Sequence, residues 1–333
     1  MRRELFPAIA LTLTLLMLCL SGCAPEASLE TTPAPSASNG AELPESGSSP
    51  APLYTLKPVR SAQPTPPVPT VGPQTPEERM TADIEAFCKT HRLAGSPGEL
   101  FALDTAAAVF ASAGYRVQTQ EVTQEGENAF STHNVIGIRD AAAENAPILI
   151  LNAHADSVEW GPGATDNAAG LAVLLECARQ AAAFEGRAVE VRFIAFSAEE
   201  WQARGSRDYV ASLTDAEKER ILGVLTLDMF SSKNALLVFG YYESLGITYG
   251  FWERISAAAK ENGTILGFDT PGVMMSDATP FEDAGIPSVL LTHMTVLDEY
   301  HTANDTPDRV SKERLLFALS LSLTLTKTLV NGG

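Results

Sequence analysis

Histidine and carboxylate side chains stand directly after the most apolar runs of this sequence. Three such runs are each followed by residues that can bind a metal or carry a proton, namely His154 and Asp156, Glu199 and Glu200, and Asp228. A fourth run leads through a short loop to His301, and a Gly-rich turn brings Asp166 to the start of a helix. Ligands of open α/β sheets bind beyond the carboxyl ends of the strands. We therefore expect these seven side chains to meet at one rim of a sheet.

The chemistry of this set is that of a metal centre. Carboxylates that are crowded together repel one another unless cations neutralise them. Imidazole and carboxylate ligands without thiolate suit Zn²⁺, and the same rules admit Mn²⁺ or Co²⁺. A carboxylate shared between two ions is an economical way to hold them ~3.5–4 Å apart. The sequence thus predicts a pair of metal ions, with zinc as the first choice.

Each motif alone also has an ordinary structural explanation. The pair Glu199-Glu200 is typical of a solvated helix start, where the helix dipole favours acidic residues. Asp228 could cap a strand, and His301 could be a loop histidine. His293 competes with His301 for the role of ligand. It is the conjunction of the motifs in order, all at strand ends, that favours a metal site.

The elements that must position these residues begin at Thr75. The sequence Thr75-Pro76-Glu77-Glu78 has the pattern of a capping box with proline at the first helical position. After a second helix at 99–113, apolar runs alternate with helical stretches. The expected strands are 115–122, 134–138, 148–152, 189–196, 221–227, 236–239 and 288–292. The expected helices between them are 168–183, 201–211, 247–261 and 279–283.

This alternation predicts an α/β fold with a mostly parallel mixed sheet sandwiched by helices. We expect a single catalytic domain over residues 76–333. The segment 311–330 is ambiguous, because Phe317, Leu319 and Leu321 alternate with small or polar residues, as in a strand. Its length and its cationic start favour a closing helix, which we predict.

Composition excludes several classes of protein. The chain has 333 residues, of which 45% are hydrophobic, so it is neither disordered throughout nor a polytopic membrane protein. Its formal net charge of −18 excludes a nucleic-acid partner, because phosphate binding requires a basic surface.

The first 22 residues have the features of an export signal. Arg2 and Arg3 precede an uncharged stretch from Leu5 to Leu20, which is shorter than the ~20 residues that span a bilayer. The sequence Leu20-Ser21-Gly22-Cys23 resembles the lipobox of bacterial lipoproteins. We therefore predict a lipoprotein signal peptide over 1–22 and a lipid on Cys23, the only membrane attachment. An ordinary secretory signal is the alternative.

Residues 23–75 are predicted to form a disordered tether rich in proline, serine and threonine. They contain 12 of the 21 prolines and few apolar residues, so they cannot bury enough surface to offset the entropy of ordering. Together, signal and tether place the domain in the bacterial cell envelope, facing outside the cytoplasm. Of the remaining cysteines, Cys88 and Cys177 could form one disulfide, but their helix-like contexts favour two buried thiols.

The motifs together resemble those of the M28 family of zinc aminopeptidases. The resemblance covers 76–333 and rests on separated motifs that occur in the family's order: His154-x-Asp156, Gly163-Ala164-Thr165-Asp166-Asn167, Glu199-Glu200, Leu227-Asp228-Met229, Ser276-Asp277 ahead of Pro280-Phe281, and Tyr300-His301-Thr302 with Asp305. It implies the family's fold, two Zn²⁺ ions, and peptide substrates with a free N-terminus.

The resemblance also implies a role for each residue. His154, Asp166 and Asp228 would hold one zinc, and Asp166, Glu200 and His301 the other. Asp156 would orient His154 through its distal ring nitrogen. Tyr300 would hydrogen-bond the developing oxyanion, and the Asp166-Asn167 peptide would be cis. Glu199 would be the general base that takes a proton from water and returns it to the leaving amine.

Two departures from the family pattern bear on substrate orientation. The usual Ser-Asp-His is replaced by Ser276-Asp277-Ala278, and Met274-Met275 stand where some members have an arginine. The residue preferred at the substrate N-terminus therefore stays open.

Three functions remain possible from the sequence. The first is a lipid-anchored di-zinc aminopeptidase. The second is a single-zinc glutaminyl cyclase or another metallohydrolase of the same fold, against which the complete second metal set with Glu199 argues. The third is a non-catalytic, lipid-anchored binding protein, which the loss of a ligand would have favoured. No ligand is lost.

Overall fold

A computed structural model describes residues 57–58, 75–233, 238–241, 245–264, 266–269, 275–293 and 298–333. The predicted signal peptide lies outside these residues, as does the predicted tether except for 57–58 and Thr75. Residues 57–58 form a short strand that pairs with the edge of the sheet. Among the described residues, no helix combines the length and the apolarity needed to cross a bilayer.

The described residues form nine strands and eight α-helices. The strands are β1 Lys57–Pro58, β2 Arg116–Gln124, β3 Phe130–Arg139, β4 Ile148–His154, β5 Glu190–Phe196, β6 Ile221–Leu227, β7 Val238–Tyr241, β8 Gly267–Asp269 and β9 Ser288–His293. The helices are α1 Pro76–Phe87, α2 Pro97–Ser112, α3 Ala169–Ala181, α4 Arg204–Ser212, α5 Asp215–Arg220, α6 Leu245–Glu261, α7 Thr279–Asp283 and α8 Lys312–Val330.

The sheet is mixed, with a parallel centre. Its order is β1-β2-β3-β5-β4-β6-β9-β7-β8. The four central strands β5, β4, β6 and β9 run parallel, whereas β2 and β3 form an antiparallel pair at one side and β7 runs antiparallel to β9. The predicted α/β fold is thus confirmed. The parallel centre matters for the site because it brings four carboxyl ends to the same edge.

Helices cover both faces of the sheet. Along β4, Leu149 and Leu151 pack into a cluster formed with α1, α2, α3, α6 and α8, while Ile148 and Ile150 pack into a second cluster with α4 and α7. Because both sets of alternating side chains are buried, the central strands read as continuous apolar runs. This is why the sequence revealed them so clearly.

The closing segment is the helix α8, as predicted. Its buried residues include Leu315, Ala318, Leu325 and Leu329, which recur at helical spacing. Ser311 caps its first turn by accepting a hydrogen bond from the Arg314 amide. The alternation of leucines does not define a face, because small and hydroxyl residues of the helix are buried beside them.

Some details differ from the sequence expectations. Helix α4 begins at Arg204 and not at 201, because Gln202 and Ala203 adopt positive φ angles of 60° and 53° in a tight turn. The short elements α5 and β8 were not predicted. Cys88 and Cys177 are free thiols, as the sequence favoured; Cys177 is buried and Cys88 half-buried.

Helix α3 carries a fully buried glutamate that is not among the predicted site residues. Glu176 receives hydrogen bonds from Arg79 on α1 and from Arg179 and Gln180 on its own helix. Burial alone would raise the pKa of Glu176, but the bonds from Arg79 and Gln180 outweigh it and lower that pKa below 4.5. The ion pair therefore fastens α1 to α3.

We expect Glu176→Gln to destabilise the protein by about 1.5–3 kcal/mol at neutral pH, since a hydrogen-bonded charge is lost. A carboxyl group whose pKa is lowered on folding stabilises the protein at pH values above its pKa in the unfolded state. This contribution disappears as the pH falls through its pKa in the folded state. The difference in free energy of unfolding between wild type and variant should thus shrink below pH 4.5. Urea unfolding from pH 7 to pH 3 measures it, and a difference that is constant over this range would contradict the assignment.

Candidate metal centre

The central strands deliver most of the predicted site residues to one edge of the sheet. His154 is the last residue of β4, Asp228 follows the last residue of β6, and Glu199 and Glu200 lie three and four residues beyond β5. Since these strands are adjacent and parallel, their carboxyl ends lie side by side. The loop after β9 returns His301 to the same place, as its contacts below show.

One cluster consists of His154, Asp166 and Asp228. A potential ligand atom of each lies within 4.8 Å of those of the other two. The His154 Nε2 atom is 3.2 Å from Asp166 Oδ1 and 3.5 Å from Asp228 Oδ1. All three residues are buried. Burial alone would lower the pKa of the His154 imidazole, but contact with the carboxylates of Asp156, Asp166 and Asp228 raises it well above the ordinary value.

A second cluster shares Asp166 with the first. The His301 Nε2 atom lies 3.2 Å from Asp166 Oδ2 and 3.1 Å from Glu200 Oε2. Asp166 therefore presents one carboxylate oxygen to each histidine. Burial would lower the pKa of His301, yet the neighbouring carboxylates raise it to about 10. Burial and the charge of Asp166 raise the pKa of Glu200 to about 7.

A bound cation explains the potential ligand atoms of the two clusters better than a network of hydrogen bonds does. His154 Nε2, Asp228 Oδ1 and Glu200 Oε1 are buried and make no hydrogen bond within the described part of the chain. Buried polar atoms are otherwise nearly always hydrogen-bonded. Imidazole nitrogens and carboxylate oxygens that converge in this way are the ligands of catalytic zinc sites.

Asp156 contacts both the first cluster and the turn that carries Glu199 and Glu200. Its Oδ1 atom lies 3.3 Å from His154 Nδ1 and accepts a hydrogen bond from the Glu199 amide at 3.0 Å. Its Oδ2 atom accepts from the Glu200 amide at 3.1 Å. Asp156 is fully buried, so one carboxylate lies against the ring of His154 and binds the backbone of both glutamates.

Glu199 belongs to neither cluster but lies beside the first. Its Oε2 atom is 4.0 Å from His154 Nε2, and its side chain is 12% exposed. Burial raises the pKa of Glu199 well above the ordinary value, an effect that His154 opposes and Asp228 strengthens. A carboxyl group with a raised pKa holds a proton more firmly, which suits a residue that must accept and release one.

Tyr300 lies at the rim and covers His301. Its ring stacks on the imidazole at a centroid distance of 3.8 Å and is 38% exposed. Burial and the neighbouring carboxylates raise the pKa of the Tyr300 hydroxyl, so it stays protonated and can donate a hydrogen bond. His293, at the end of β9, is buried but is part of neither cluster.

The turn that carries Asp166 is held by residues that the sequence analysis gave no role. Asp305 accepts hydrogen bonds from the amides of Thr165 at 2.7 Å and Asp166 at 3.1 Å. The peptide between Asp166 and Asn167 is cis, as the resemblance implied. Asp305 was visible in the motif after Tyr300, but nothing in its spacing indicated which amides it would reach.

Arg92 is a second residue that the sequence analysis missed. Its guanidinium is fully buried and donates to the carbonyls of Ala155, Pro162 and Gly163. It thereby joins the end of β4 to the turn before Asp166. Gly163 has a φ of 63°, and a Cβ atom there would lie 2.4 Å from the Asp166 carbonyl oxygen. Only glycine fits this approach.

Two residues of the segments that depart from the family pattern, Asp277 and Met275, have defined surroundings in the structure. Asp277 is fully buried, and neither of its carboxylate oxygens makes a hydrogen bond to the described residues. Burial raises its pKa to about 7. Met275, which is 49% exposed, lies with its sulfur 3.8 Å from a guanidinium nitrogen of Arg207.

The two histidine–carboxylate clusters have the donor atoms of a metal centre, and sequence comparison identifies the family. The family model described as Peptidase family M28 matches residues 134–325. The chain belongs to this family.

Curated relatives include proteins that are named as aminopeptidases. Aminopeptidase YwaD of Bacillus subtilis is 35% identical over 195 residues, which are 56% of this chain and 42% of the relative. Leupeptin-inactivating enzyme 1 of Streptomyces exfoliatus is 30% identical over 233 residues, 68% of this chain and 50% of the relative. The chain thus spans half or less of the length of these relatives. A probable lipoprotein aminopeptidase LpqL of Mycobacterium tuberculosis is 38% identical over 106 residues, 32% of this chain and 21% of the relative.

Solved structures share the fold. An aminopeptidase from Aneurinibacillus sp. strain AM-1 aligns with a TM-score of 0.67 and 24% identity over 76% of this chain and 93% of its own. A glutaminyl cyclase from Fimbriiglobus ruber aligns with a TM-score of 0.66 and 21% identity over 80% and 99%. The fold is therefore common to both activities and does not decide between them.

Proposed function

We propose that this protein is a co-catalytic di-zinc aminopeptidase that releases residues from the N-termini of peptides outside the cytoplasm. The observation that supports it best is Asp166, whose two oxygens face one histidine each in two separate clusters. His154, Asp166 and Asp228 would hold one zinc, and Asp166, Glu200 and His301 the other. Mn²⁺ or Co²⁺ would suit the same donors.

The bound metals would polarise the substrate carbonyl and acidify water in the site. Glu199 lies beside the first cluster without being part of it, so its carboxylate is free to act as the general base. It would take the proton from the attacking water and then pass it to the leaving amine. Asp156 binds the Glu199 amide and lies against the His154 ring, so it would keep the base Glu199 and the ligand His154 in a fixed position relative to each other.

The remaining residues would act on the substrate. Carboxylates at the site attract the ammonium group of a free peptide N-terminus, which is the physical reason to expect an exopeptidase. The Tyr300 hydroxyl, kept protonated by its raised pKa, would donate a hydrogen bond to the oxygen that gains charge. Its ring stacks on His301 and the residue is partly exposed, which supports this role.

The same proposal includes the cell envelope as the site of action, through a lipid on Cys23. The LpqL relative is named a probable lipoprotein, which supports it. If Cys23 carries the anchor, the Cys23→Ala form should leave the membrane fraction, and a variant that stays there would refute the anchor.

The two clusters predict how zinc content depends on each ligand. Wild type should hold two zinc ions per chain, His301→Ala one, and Asp166→Ala markedly fewer than one, because only Asp166 serves both clusters. His293→Ala is the matched control, since His293 is a buried histidine outside both clusters, and it should keep two. Metal analysis after dialysis against dilute zinc gives these ratios. Loss of zinc in His293→Ala equal to that in His301→Ala would refute the ligand set.

Replacing the proposed base should separate catalysis from metal binding. Glu199→Gln should lower kcat on an aminoacyl amide by ~10²–10⁴-fold, the range for a lost general base. Its zinc content should stay near that of wild type, because Glu199 belongs to neither cluster. Glu200→Gln is the comparison and should lose zinc together with activity. If Glu199→Gln loses zinc in the same proportion, the two glutamates exchange roles.

Substrate chemistry distinguishes the aminopeptidase from its alternatives. Activity on a peptide with a free N-terminus should vanish with a chelator and return with zinc, while the N-acetylated peptide should be nearly inert because it lacks the ammonium group. Equal cleavage of both peptides would leave a hydrolase but exclude an aminopeptidase. An N-terminal glutamine peptide that loses ammonia without cleavage would indicate a cyclase. A zinc-loaded protein that changes none of these peptides would be a binding protein.

A further inference from the structure

Four successive backbone amides in the turn after β5 are each held by a side chain from elsewhere in the protein. The Ser197 amide donates to Asn134 Oδ1 at 3.0 Å, and the amides of Glu199 and Glu200 donate to Asp156. The remaining amide, that of Ala198, donates to Glu99 Oε1 at 3.1 Å. Glu99 lies in the first turn of α2, about a hundred residues earlier in the chain.

Glu99 is a buried carboxylate, and the three groups that donate hydrogen bonds to it are all uncharged. It is fully buried, and its other oxygen accepts from the Gly95 amide and from the Thr132 hydroxyl, each at 2.6 Å. All three of its partners are donors, so the carboxylate is satisfied by charge-assisted bonds. A buried charge is costly, and a neutral residue would serve if the position required only packing. Burial raises the pKa of Glu99 to about 7, an effect that its three hydrogen bonds oppose.

The amide that Glu99 holds belongs to a residue with an unfavourable backbone. Ala198 is fully buried and has a φ of 52°, a left-handed conformation that residues other than glycine rarely adopt. Such a conformation persists only where the surroundings fix it. Ala198 directly precedes Glu199, so its φ and ψ angles decide the direction in which the Glu199 side chain leaves the backbone.

We propose that Glu99 is a positioning residue for Glu199: by holding the Ala198 amide it keeps the general base aimed at the reacting centre. This inference rests on the proposed role of Glu199. The ligand Glu200 depends less on Glu99, because its own amide is bound by Asp156 Oδ2. Loss of the Glu99 contact should thus disturb the base and spare the metal site.

Glu99→Gln breaks the relevant contact selectively. The glutamine amide has one oxygen, which the two donors Gly95 and Thr132 claim, so its NH₂ group faces the Ala198 amide and cannot accept from it. The shape of the side chain is kept. Thr132→Val is the matched control, because it removes a bond to the same carboxylate but leaves the oxygen that holds Ala198. Glu176→Gln controls for the loss of a fully buried glutamate that is bonded to Arg79, Arg179 and Gln180 and not to the turn's amides.

We expect Glu99→Gln to lower kcat on an aminoacyl amide by ~10- to 100-fold, the scale of a misplaced catalytic group. KM and zinc content should remain within about twofold of wild type. Both control variants should lower the thermal midpoint but keep kcat within about twofold. Equal kcat losses in all three variants would show a merely structural role, and loss of zinc in Glu99→Gln would show that the metal site depends on it; either result overturns the proposal.

Hydrogen–deuterium exchange tests the contact itself, independently of turnover. In Glu99→Gln, zinc-free or zinc-loaded, peptides covering 197–200 should exchange faster while those from β4 keep their protection. Unchanged exchange at 197–200 would overturn the proposal even if activity fell. If wild type cleaves no substrate, the proposed function fails, whereas the exchange result still decides whether Glu99 fixes the turn. If Glu99→Gln does not fold, Glu99→Asp takes its place, because it keeps the carboxylate but withdraws it from the Ala198 amide. Faster exchange at 197–200 than in wild type would then support the contact, and unchanged exchange would overturn it.

Discussion

The structure depends on the concentration of buried negative charge at the carboxyl edge of the central strands. Six carboxylates come together there: Asp156, Asp166, Glu199, Glu200, Asp228 and Asp277. Within the described residues, His154 and His301 lie against these carboxylates, and the two clusters contain more carboxylates than histidines. Burial, together with the charge of neighbouring carboxylates, raises the pKa values of Glu199, Glu200, Asp228 and Asp277. The arrangement is stable in its ionised form only with added positive charge, which is the physical basis for proposing metals.

Backbone donors supply much of the remaining compensation. Asp156, Asp305 and Glu99 each accept hydrogen bonds from two or more main-chain amides or hydroxyls, and they do so in turns that carry a site residue. Arg92 acts in the opposite sense, since its buried guanidinium binds carbonyls around the same turns. The loops are therefore not held by packing alone. Charged side chains that reach across the fold bind the backbone of Asp166, Glu199 and Glu200.

This organisation explains how one fold can serve different activities. The sheet and its covering helices bring the strand ends together, and solved aminopeptidase and glutaminyl cyclase structures share that framework. The chemistry is then decided by side chains in the loops. In this chain, Asp166 faces both histidines and Glu199 is left outside both clusters, and these two features, not the fold, favour a hydrolase with a separate base.

The sequence by itself determined the α/β class, the central strands and the residues that gather at the rim. It could do so because strands buried on both faces are continuous apolar runs, and because parallel strands must end on the same side. It also indicated the helix α8, because the segment 311–330 is long for a strand even though its apolar residues alternate as they would in one. These are properties of local pattern and of general sheet geometry.

Only the tertiary structure decided which atoms meet. That Asp166 presents one oxygen to His154 and the other to His301 depends on a turn fixed by Asp305, about 140 residues further along the chain. Glu99 and Arg92 gave no signal, because a single charged residue near a helix start is ordinarily solvated and nothing local shows that it is buried. Hydrogen bonds between distant segments depend on how the elements pack, and a linear pattern carries no record of that packing.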